Sequence, residues 1–214
     1  MRETLWAKSA ESPGFFGLFA GIQLTGTDPE RPIQCENSFE LLADGGLFVQ
    51  QSVEIPRSFP IIPRIGMKLV MPAGFENARW YGRGPWENYT DRKSAARVGE
   101  YKAKVGEMLT EYIVPGECGG REDARWLEIT NDEGLGLRFE GSPLFHFSAL
   151  HASDEALMKA KHHHEIELCG ETHVHIDALH MGVGGDDGWT PNVHPEYQIQ
   201  PGVYRWAFTM RGVG

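Results

Sequence analysis

Two short stretches combine flat aromatic rings with forked polar groups. RWYGRGPWENYTDRK spans residues 79–93, and HMGVGGDDGWTP spans residues 180–191. A pyranose ring has an apolar C–H face and a rim of hydroxyls, so aromatic faces and forked hydrogen-bonding groups are the side chains that hold it. The two stretches therefore predict a carbohydrate site. Its candidate binding residues are Glu87, Asn88, Tyr89, Asp91, Arg92, Asp187 and Trp189.

A purely structural interpretation of the same residues stays open. Aromatic residues beside glycines often fill the corners of β proteins, and an Asp–Arg pair often braces a loop. Trp189 differs, because the glycines before it and the Thr-Pro after it predict a loop, where binding residues concentrate. Asp186 and Asp187 are suited to a cation, but adjacent carboxylates more often cap turns.

The nine histidines raise the question of a metal site. Side chains of an extended segment alternate in direction, so within the HHH stretch at most His162 and His164 converge. His173 and His175 share a face for the same reason. A zinc site needs a third and a fourth ligand, and no spacing in this sequence specifies them. The sequence therefore predicts no metal and no other cofactor in this domain.

The composition argues against several classes of partner. The formal net charge is -10 and no block of Lys or Arg occurs, whereas nucleic-acid binding needs clustered cations. The apolar run PGFFGLFAGIQL is broken by glycines and is shorter than the roughly 20 residues of a membrane helix. The cysteines, Cys35, Cys118 and Cys169, form neither a CxxC metal pair nor a disulfide framework. We expect a soluble protein, cytoplasmic or periplasmic.

Local patterning predicts strands along most of the chain. Glycines and prolines divide it into short segments that alternate polar and apolar residues, as half-buried strands do. In LFVQQSVEI (Leu47–Ile55) the odd-numbered residues form the face predicted to be core. Many strands of this kind predict an all-β sandwich. The one helical stretch is SDEALMKAKH, with Ser153 as a suitable N-cap. No linker or repeat is visible, so residues 1–214 are predicted to form a single domain.

Together, RIGMKLVMP, WYGRGPWENYTDR and HMGVGGDDGWTPNVHPEYQI resemble the carboxy-terminal domain of family 2 β-galactosidases, called the β-galactosidase small chain. The likeness runs from about Leu41 to about Met210. It rests chiefly on the GPxENYxDR and HMGxGGDDxW motifs. It implies a large antiparallel super-sandwich similar to galactose mutarotase, and it implies that the chain is a fragment of a larger multidomain enzyme.

The resemblance also implies a division of labour. In the family, two glutamates of a separate (β/α)8 barrel hydrolyse the substrate, and this domain packs beside the barrel and completes the mouth of the galactoside site. Trp189 would stack on the sugar in the leaving-group subsite, and the GPxENY loop would border the same cleft. We therefore expect no catalytic residue in this chain and a loop-ordering role for Glu87. Magnesium and sodium of the full-length enzymes are expected in other domains, and the full enzyme is expected to be oligomeric.

Two other functions stay open. A free-standing epimerase on the same sandwich would use a histidine such as His175 or His180 and a glutamate such as Glu196 as acid and base, an idea that rests on fold analogy. A free-standing carbohydrate-binding module would use the tryptophans around the two motifs as a platform. The two motifs favour the β-galactosidase domain over both.

Overall fold

The computed structural model describes the backbone of residues 2–12 and 15–25, and all atoms of residues 31–59, 61–187 and 192–214. The described strands are β1 (Arg2–Ser12), β2 (Phe15–Thr25), β3 (Ile33–Leu41), β4 (Leu47–Ile55), β5 (Arg64–Met71), β6 (Asn77–Gly84), β7 (Arg97–Lys104), β8 (Arg121–Thr130), β9 (Gly136–Leu150), β10 (Thr172–His180) and β11 (Gly202–Val213). One α-helix, α1 (Asp154–Lys159), and three short 3-10 turns, Val105–Glu107, His163–Glu165 and Pro195–Tyr197, accompany them.

The described strands pair in antiparallel fashion throughout. Their order is β1-β2-β3-β4-β11-β9-β8-β6-β7, and β10 joins β9 to β5. β9 has a different neighbour along each half: residues 136–142 pair with β11, whereas residues 146–150 pair with β10. β9 therefore belongs to both layers. The prediction of an all-β antiparallel sandwich is confirmed.

β4 shows how the two layers pack. Its odd-numbered residues face the core, as the alternation predicts; those fully buried are Val49, Gln51, Val53 and Ile55. Val53 and Ile55 share a cluster with Ile65 of β5, although β4 and β5 are not hydrogen-bonded neighbours. Apolar side chains from two separate sheet regions thus meet in one core, which is the arrangement of a sandwich.

Gln51 is a polar residue on this buried face and is fully partnered. Its Oε1 accepts a hydrogen bond from Trp206 Nε1 at 2.8 Å, and its Nε2 donates to the Gly66 carbonyl at 3.3 Å. The second bond joins the two layers. A buried amide with such partners avoids the cost of an unsatisfied group.

The helical stretch forms α1 as expected, and most of the apolar run lies in a strand. Ser153 caps α1, because its Oγ accepts a hydrogen bond from Ala156 N at 3.1 Å. The helix ends when Ala160 adopts an extended conformation. The apolar run near the start contributes most of β2. Among the helices of the described residues, none has the length and apolar character needed to cross a membrane.

Candidate functional site

The GPWENY loop, residues 84–92, is fastened to a glycine-rich segment, residues 116–120, that leads into β8. Asn88 N donates to Gly120 O at 2.9 Å, and Asn88 Oδ1 accepts from Glu122 N at 2.9 Å. Asn88 is only 1% exposed. The hydrogen bonds of Asn88 therefore hold the loop in place. The sequence predicted a sugar-binding group at this position.

Arg121 holds the two segments together from the other side. Its Nε donates to the Pro85 carbonyl, and its Nη1 donates to the carbonyls of Gly119 and Gly120, each at 3.1 Å. Burial lowers the pKa of the guanidinium to about 10, although the negative charge of Glu87 acts to raise it. The group still carries its charge at neutral pH.

Glu87 is occupied by three donors. Its carboxylate accepts from Gly119 N at 2.6 Å, from the Tyr112 hydroxyl at 2.5 Å and from the Arg92 guanidinium. The side chain is 8% exposed. This arrangement agrees with a loop-ordering role for Glu87 and gives Arg92 the same task.

Tyr89 lies at the centre of the site and is completely buried. Its hydroxyl donates to Glu117 Oε1 at 3.0 Å and accepts from Gly120 N at 3.1 Å. The ring contacts His146 and His180, with centroids 5.3 and 5.2 Å away. Burial and the charges of Glu117 and Glu87 raise the pKa of the phenol far above its usual value, so the hydroxyl keeps its proton.

Glu117, which accepts the hydrogen bond of Tyr89, also contacts Arg64 and His180. Its Oε2 lies 3.3 Å from Arg64 Nη1 and 3.6 Å from His180 Nε2. Arg64 also pairs with Asp177, through Nη2 at 2.8 Å and Nε at 3.2 Å. Burial opposes ionisation of Glu117, but the hydrogen bond of His180 and the nearby positive charges outweigh it and lower the pKa of this carboxyl to about 2.

The two histidines stack on each other, with ring centroids 4.8 Å apart. His180 Nδ1 lies 2.6 Å from the Met181 carbonyl, and His146 Nδ1 lies 3.0 Å from Glu122 Oε1. His146 Nε2 is buried and has no hydrogen-bond partner among the described residues. We call Tyr89, Glu117, His146 and His180 the polar centre.

Asp91 links the GPWENY loop to the HMGVGGDD loop, residues 180–187, which starts at the end of β10. Its Oδ2 accepts from Gly184 N at 2.7 Å, while its Oδ1 is buried without a partner among the described residues. A methyl group on Gly182 would lie 2.5 Å from that Oδ2, so only glycine allows this approach. The structure thus brings the two sequence motifs together.

The remaining predicted residues are Asp187, in the HMGVGGDD loop, and Trp189, which follows that loop in sequence. Trp189 lies in residues 188–191, outside the described residues. Asp187 is described and exposed. Asp186 pairs with His194 at 2.8 Å, and this hydrogen bond raises the pKa of His194. Asp186 therefore pairs with a residue that follows residues 188–191 in the chain.

Sequence reasoning missed half of the polar centre. Glu117 and His146 carry no recognisable motif, and they come near His180 only because β8, β9 and β10 are neighbours. His146 offered a weak signal, because it stands between two phenylalanines in the strand segment FHF. In the structure its side chain is buried. A polar residue at a core position of a strand is such a signal.

An apolar groove of about 540 Å³, lined in part by Arg64, lies between β3, β4 and β5. It contains none of the predicted site residues. Trp86, in contrast, stands on the GPWENY loop and is 71% exposed. The motif loops therefore carry their own aromatic surface, separate from this groove.

Comparison with known proteins decides the family. A model of the beta galactosidase small chain matches residues 8–210. The chain belongs to this family. The match begins well before Leu41, where the sequence motifs first indicated it, and it takes in part of β1 and all of β2 and β3.

Curated relatives of this β-galactosidase small-chain domain are themselves named beta-galactosidase. The protein of Priestia megaterium is 38% identical over 178 residues, which are 83% of this chain and 17% of the relative. The protein of Vibrio cholerae is 39% identical over 173 residues, 81% of this chain and 16% of the relative. The chain thus spans about a sixth of the length of these relatives. Among solved structures, a GalM/aldose epimerase homologue from C. elegans aligns with 96% of this chain and 68% of its own, at 11% identity and a TM-score of 0.47.

Proposed function

We propose that this chain is the accessory domain of a β-galactosidase, which packs against the catalytic part and completes the site for the galactoside and its leaving-group sugar. The observation that carries the proposal is the hydrogen bond between Asp91 and Gly184. It holds together the two loops whose motifs define the family resemblance. The exposed ring of Trp86 lies on one of them, and Trp189 follows the other in sequence.

The contacts of the Glu87 carboxylate in the first loop support a non-catalytic role. A retaining glycosidase needs one carboxyl group as nucleophile and another as acid/base, about 5–5.5 Å apart. Glu87 accepts hydrogen bonds from Gly119, Tyr112 and Arg92, so its oxygens are committed to holding the loop. The hydrolytic residues of the proposed enzyme would lie in the larger part that the relatives have in addition to this segment.

The test is a chimera of the Priestia megaterium relative in which this chain replaces the matching segment. We expect the chimera to hydrolyse lactose and a nitrophenyl galactoside, whereas the relative without the segment should not. Trp189→Ala in the chimera should raise KM for lactose about two- to tenfold, the value of one lost aromatic contact of about 0.5–1.5 kcal/mol. The nitrophenyl galactoside, which lacks a second sugar, should change less.

Trp126→Ala is the matched control. This residue lies on β8, with the guanidiniums of Arg79 and Arg138 at 5.1 and 4.3 Å from its ring centroid, and belongs to neither motif loop. It should leave the ratio of the two activities unchanged. An equal loss on both substrates in the Trp189 variant would contradict the leaving-group role.

The epimerase alternative gains little from the geometry. His175 Nε2 contacts Asp154 at 3.0 Å, whereas His180 approaches Glu117. Glu196, the glutamate that this alternative invokes, contacts His194, with 3.9 Å between His194 Nδ1 and Glu196 Oε1. A proton NMR time course with lactose and fresh α-galactose separates the functions: the chain alone should neither cleave lactose nor accelerate the exchange of the galactose anomers.

A further inference from the structure

Three potential ligand atoms converge inside the polar centre. One nitrogen of His146, one nitrogen of His180 and one oxygen of Glu117 lie within 4.8 Å of one another. The two histidines are buried, and the Glu117 side chain is about one-third exposed. The cluster therefore has a buried wall and one side open to solvent.

The hydrogen bonds of both histidines fix which nitrogen faces the cluster. His180 Nδ1 must donate to the Met181 carbonyl, because a carbonyl can only accept. His146 Nδ1 faces the Glu122 carboxylate and donates to it. The neutral His146 imidazole therefore presents an Nε2 lone pair. His180 does so once a cation displaces the proton that its Nε2 directs at Glu117, because metal binding releases ligand protons. A histidine whose second nitrogen is held by a carboxylate or a carbonyl is the usual arrangement of a metal ligand.

His146 Nε2 supplies the second, independent observation. It is buried at a residue 2% exposed and has no hydrogen-bond partner among the described residues. An acceptor in this state is unfavourable, and native structures rarely leave one unpaired. A cation at the centre of the cluster would satisfy it.

We propose that Glu117, His146 and His180 bind a divalent cation of the zinc class. Two imidazoles and one carboxylate suit zinc, cobalt or nickel, whereas magnesium and calcium prefer oxygen ligands. This conclusion departs from the absence of a metal that the sequence predicts, and it does not depend on the proposed function.

Coordination requires a small contraction of the cluster. Zinc bonds to nitrogen and oxygen are about 2.0–2.2 Å long, so tetrahedral ligand atoms lie about 3.4 Å apart. Glu117 Oε2 and His180 Nε2 are already 3.6 Å apart. The other pairs, at no more than 4.8 Å, close by movements of the order of 1 Å. A water molecule entering past Glu117 would supply a fourth ligand.

The guanidinium of Arg64 is the main opposing charge. It lies 3.3 Å from the Glu117 oxygen that the cation needs. Arg64 keeps two hydrogen bonds to Asp177 when that contact lengthens. Three carboxylates, those of Glu117, Glu122 and Asp177, stand against two cations, Arg64 and Lys93, whose Nζ lies 3.9 Å from Glu122 Oε2. These five groups together carry one net negative charge, which favours a cation at the cluster.

The test measures zinc and cobalt binding to the full 214-residue chain. The parent protein should carry His162→Ala and His164→Ala, because the exposed group of His162, His164 and Glu165 is a second set of metal-ligating atoms. We expect the parent to bind one equivalent of Zn²⁺ in competition with a chromogenic chelator. It should also show the visible absorption of tetrahedral Co²⁺ and a higher melting temperature with zinc.

Two substitutions locate the site. His146→Asn should abolish the Co²⁺ absorption and the zinc-dependent rise in melting temperature. Glu122→Gln, which changes only the partner of His146, should weaken zinc binding by about 10–100-fold while leaving the stoichiometry at one. Folding of each variant is checked by circular dichroism without metal.

The parent protein alone decides the matter if the variants fail to fold. Absence of a tetrahedral Co²⁺ spectrum in the parent, or less than one equivalent of bound zinc, overturns the proposal. A folded His146→Asn variant that binds zinc as the parent does overturns it equally.

Discussion

The polar centre and the histidine cluster of residues 162–165 contain similar ligands in opposite settings. In the exposed cluster His162 and His164 stack with centroids 5.5 Å apart, and His162 Nδ1 contacts Glu165 at 3.1 Å. All three side chains of the exposed cluster face solvent. In the polar centre the histidines are buried, and other residues orient each ring. Histidines that are close together in the sequence thus lie in a solvent-exposed turn. His146 and His180, which are far apart in the sequence, form the buried site.

The largest expected effect lies at the ion pair beside the polar centre. Asp177→Asn removes the charge of a side chain that is 1% exposed and leaves the Arg64 guanidinium with a weaker partner. We expect a loss of about 3 kcal/mol in the free energy of unfolding, the low end for a broken buried pair, because Glu117 still faces Arg64. Urea denaturation measures it.

Glu167→Gln is the matched change near the exposed cluster. Its pair with Lys159 has both side chains about 70% exposed. A surface pair of this kind contributes about 0–1 kcal/mol. Equal losses in the two variants would show that burial does not distinguish the two regions.

A smaller effect is expected from a methyl group inside the polar centre. The added Cβ of Gly120→Ala would lie 2.5 Å from His146 Cε1 and 2.6 Å from the Tyr89 ring. Both rings are buried and cannot move freely, so we expect a loss of about 1–3 kcal/mol by overpacking. Thermal unfolding followed by circular dichroism measures it.

Gly116→Ala is the control within the same glycine-rich segment, because nothing lies within 4 Å of the added atom. It should change stability by less than about 0.5 kcal/mol. A stable Gly120 variant beside an unstable Gly116 variant would reverse our assignment of the tight contact.

The smallest of the three effects concerns one hydroxyl. Tyr89→Phe removes the donor to Glu117 and the acceptor for Gly120 N, both inside the protein. We expect a loss of about 1–2 kcal/mol in the free energy of unfolding, since Gly120 N is left unpaired in a buried position.

Tyr204→Phe removes a hydroxyl that donates to the Gln200 carbonyl at an exposed site. Water can replace that bond, so the change should be close to zero. Chemical denaturation of the pair, at equal protein concentration, gives the difference. If Tyr204→Phe costs as much as Tyr89→Phe, the interior position of the Tyr89 hydroxyl is not what matters.

The fold was largely predictable because its signals are local. The alternation in β4 and the cap at Ser153 depend on residues within a few positions of one another. The GPWENY loop was also found, since its glycines, proline and polar residues stand together. These patterns report backbone conformation directly.

The organisation of the site was not predictable in the same way. Asn88 and Glu87 are candidates for sugar binding, and in the structure their polar atoms bond within the site; for Glu87 this agrees with the expected loop-ordering role. Glu117 and His146 gave no local signal, because only the pairing of β8, β9 and β10 brings them to His180. The sugar-stacking role of Trp189 stays a prediction.

Because β9 belongs to both layers, its pairing has a consequence for folding. Its neighbours are residues 121–130 before it and residues 172–180 and 202–213 after it. The last of these strands, β11, also pairs with β4, which lies far earlier in the chain. Contacts so distant in sequence form slowly and late. A nascent chain that has not yet reached Gly202 therefore holds two open strand edges, β4 and the first half of β9, which are sites where chains associate wrongly.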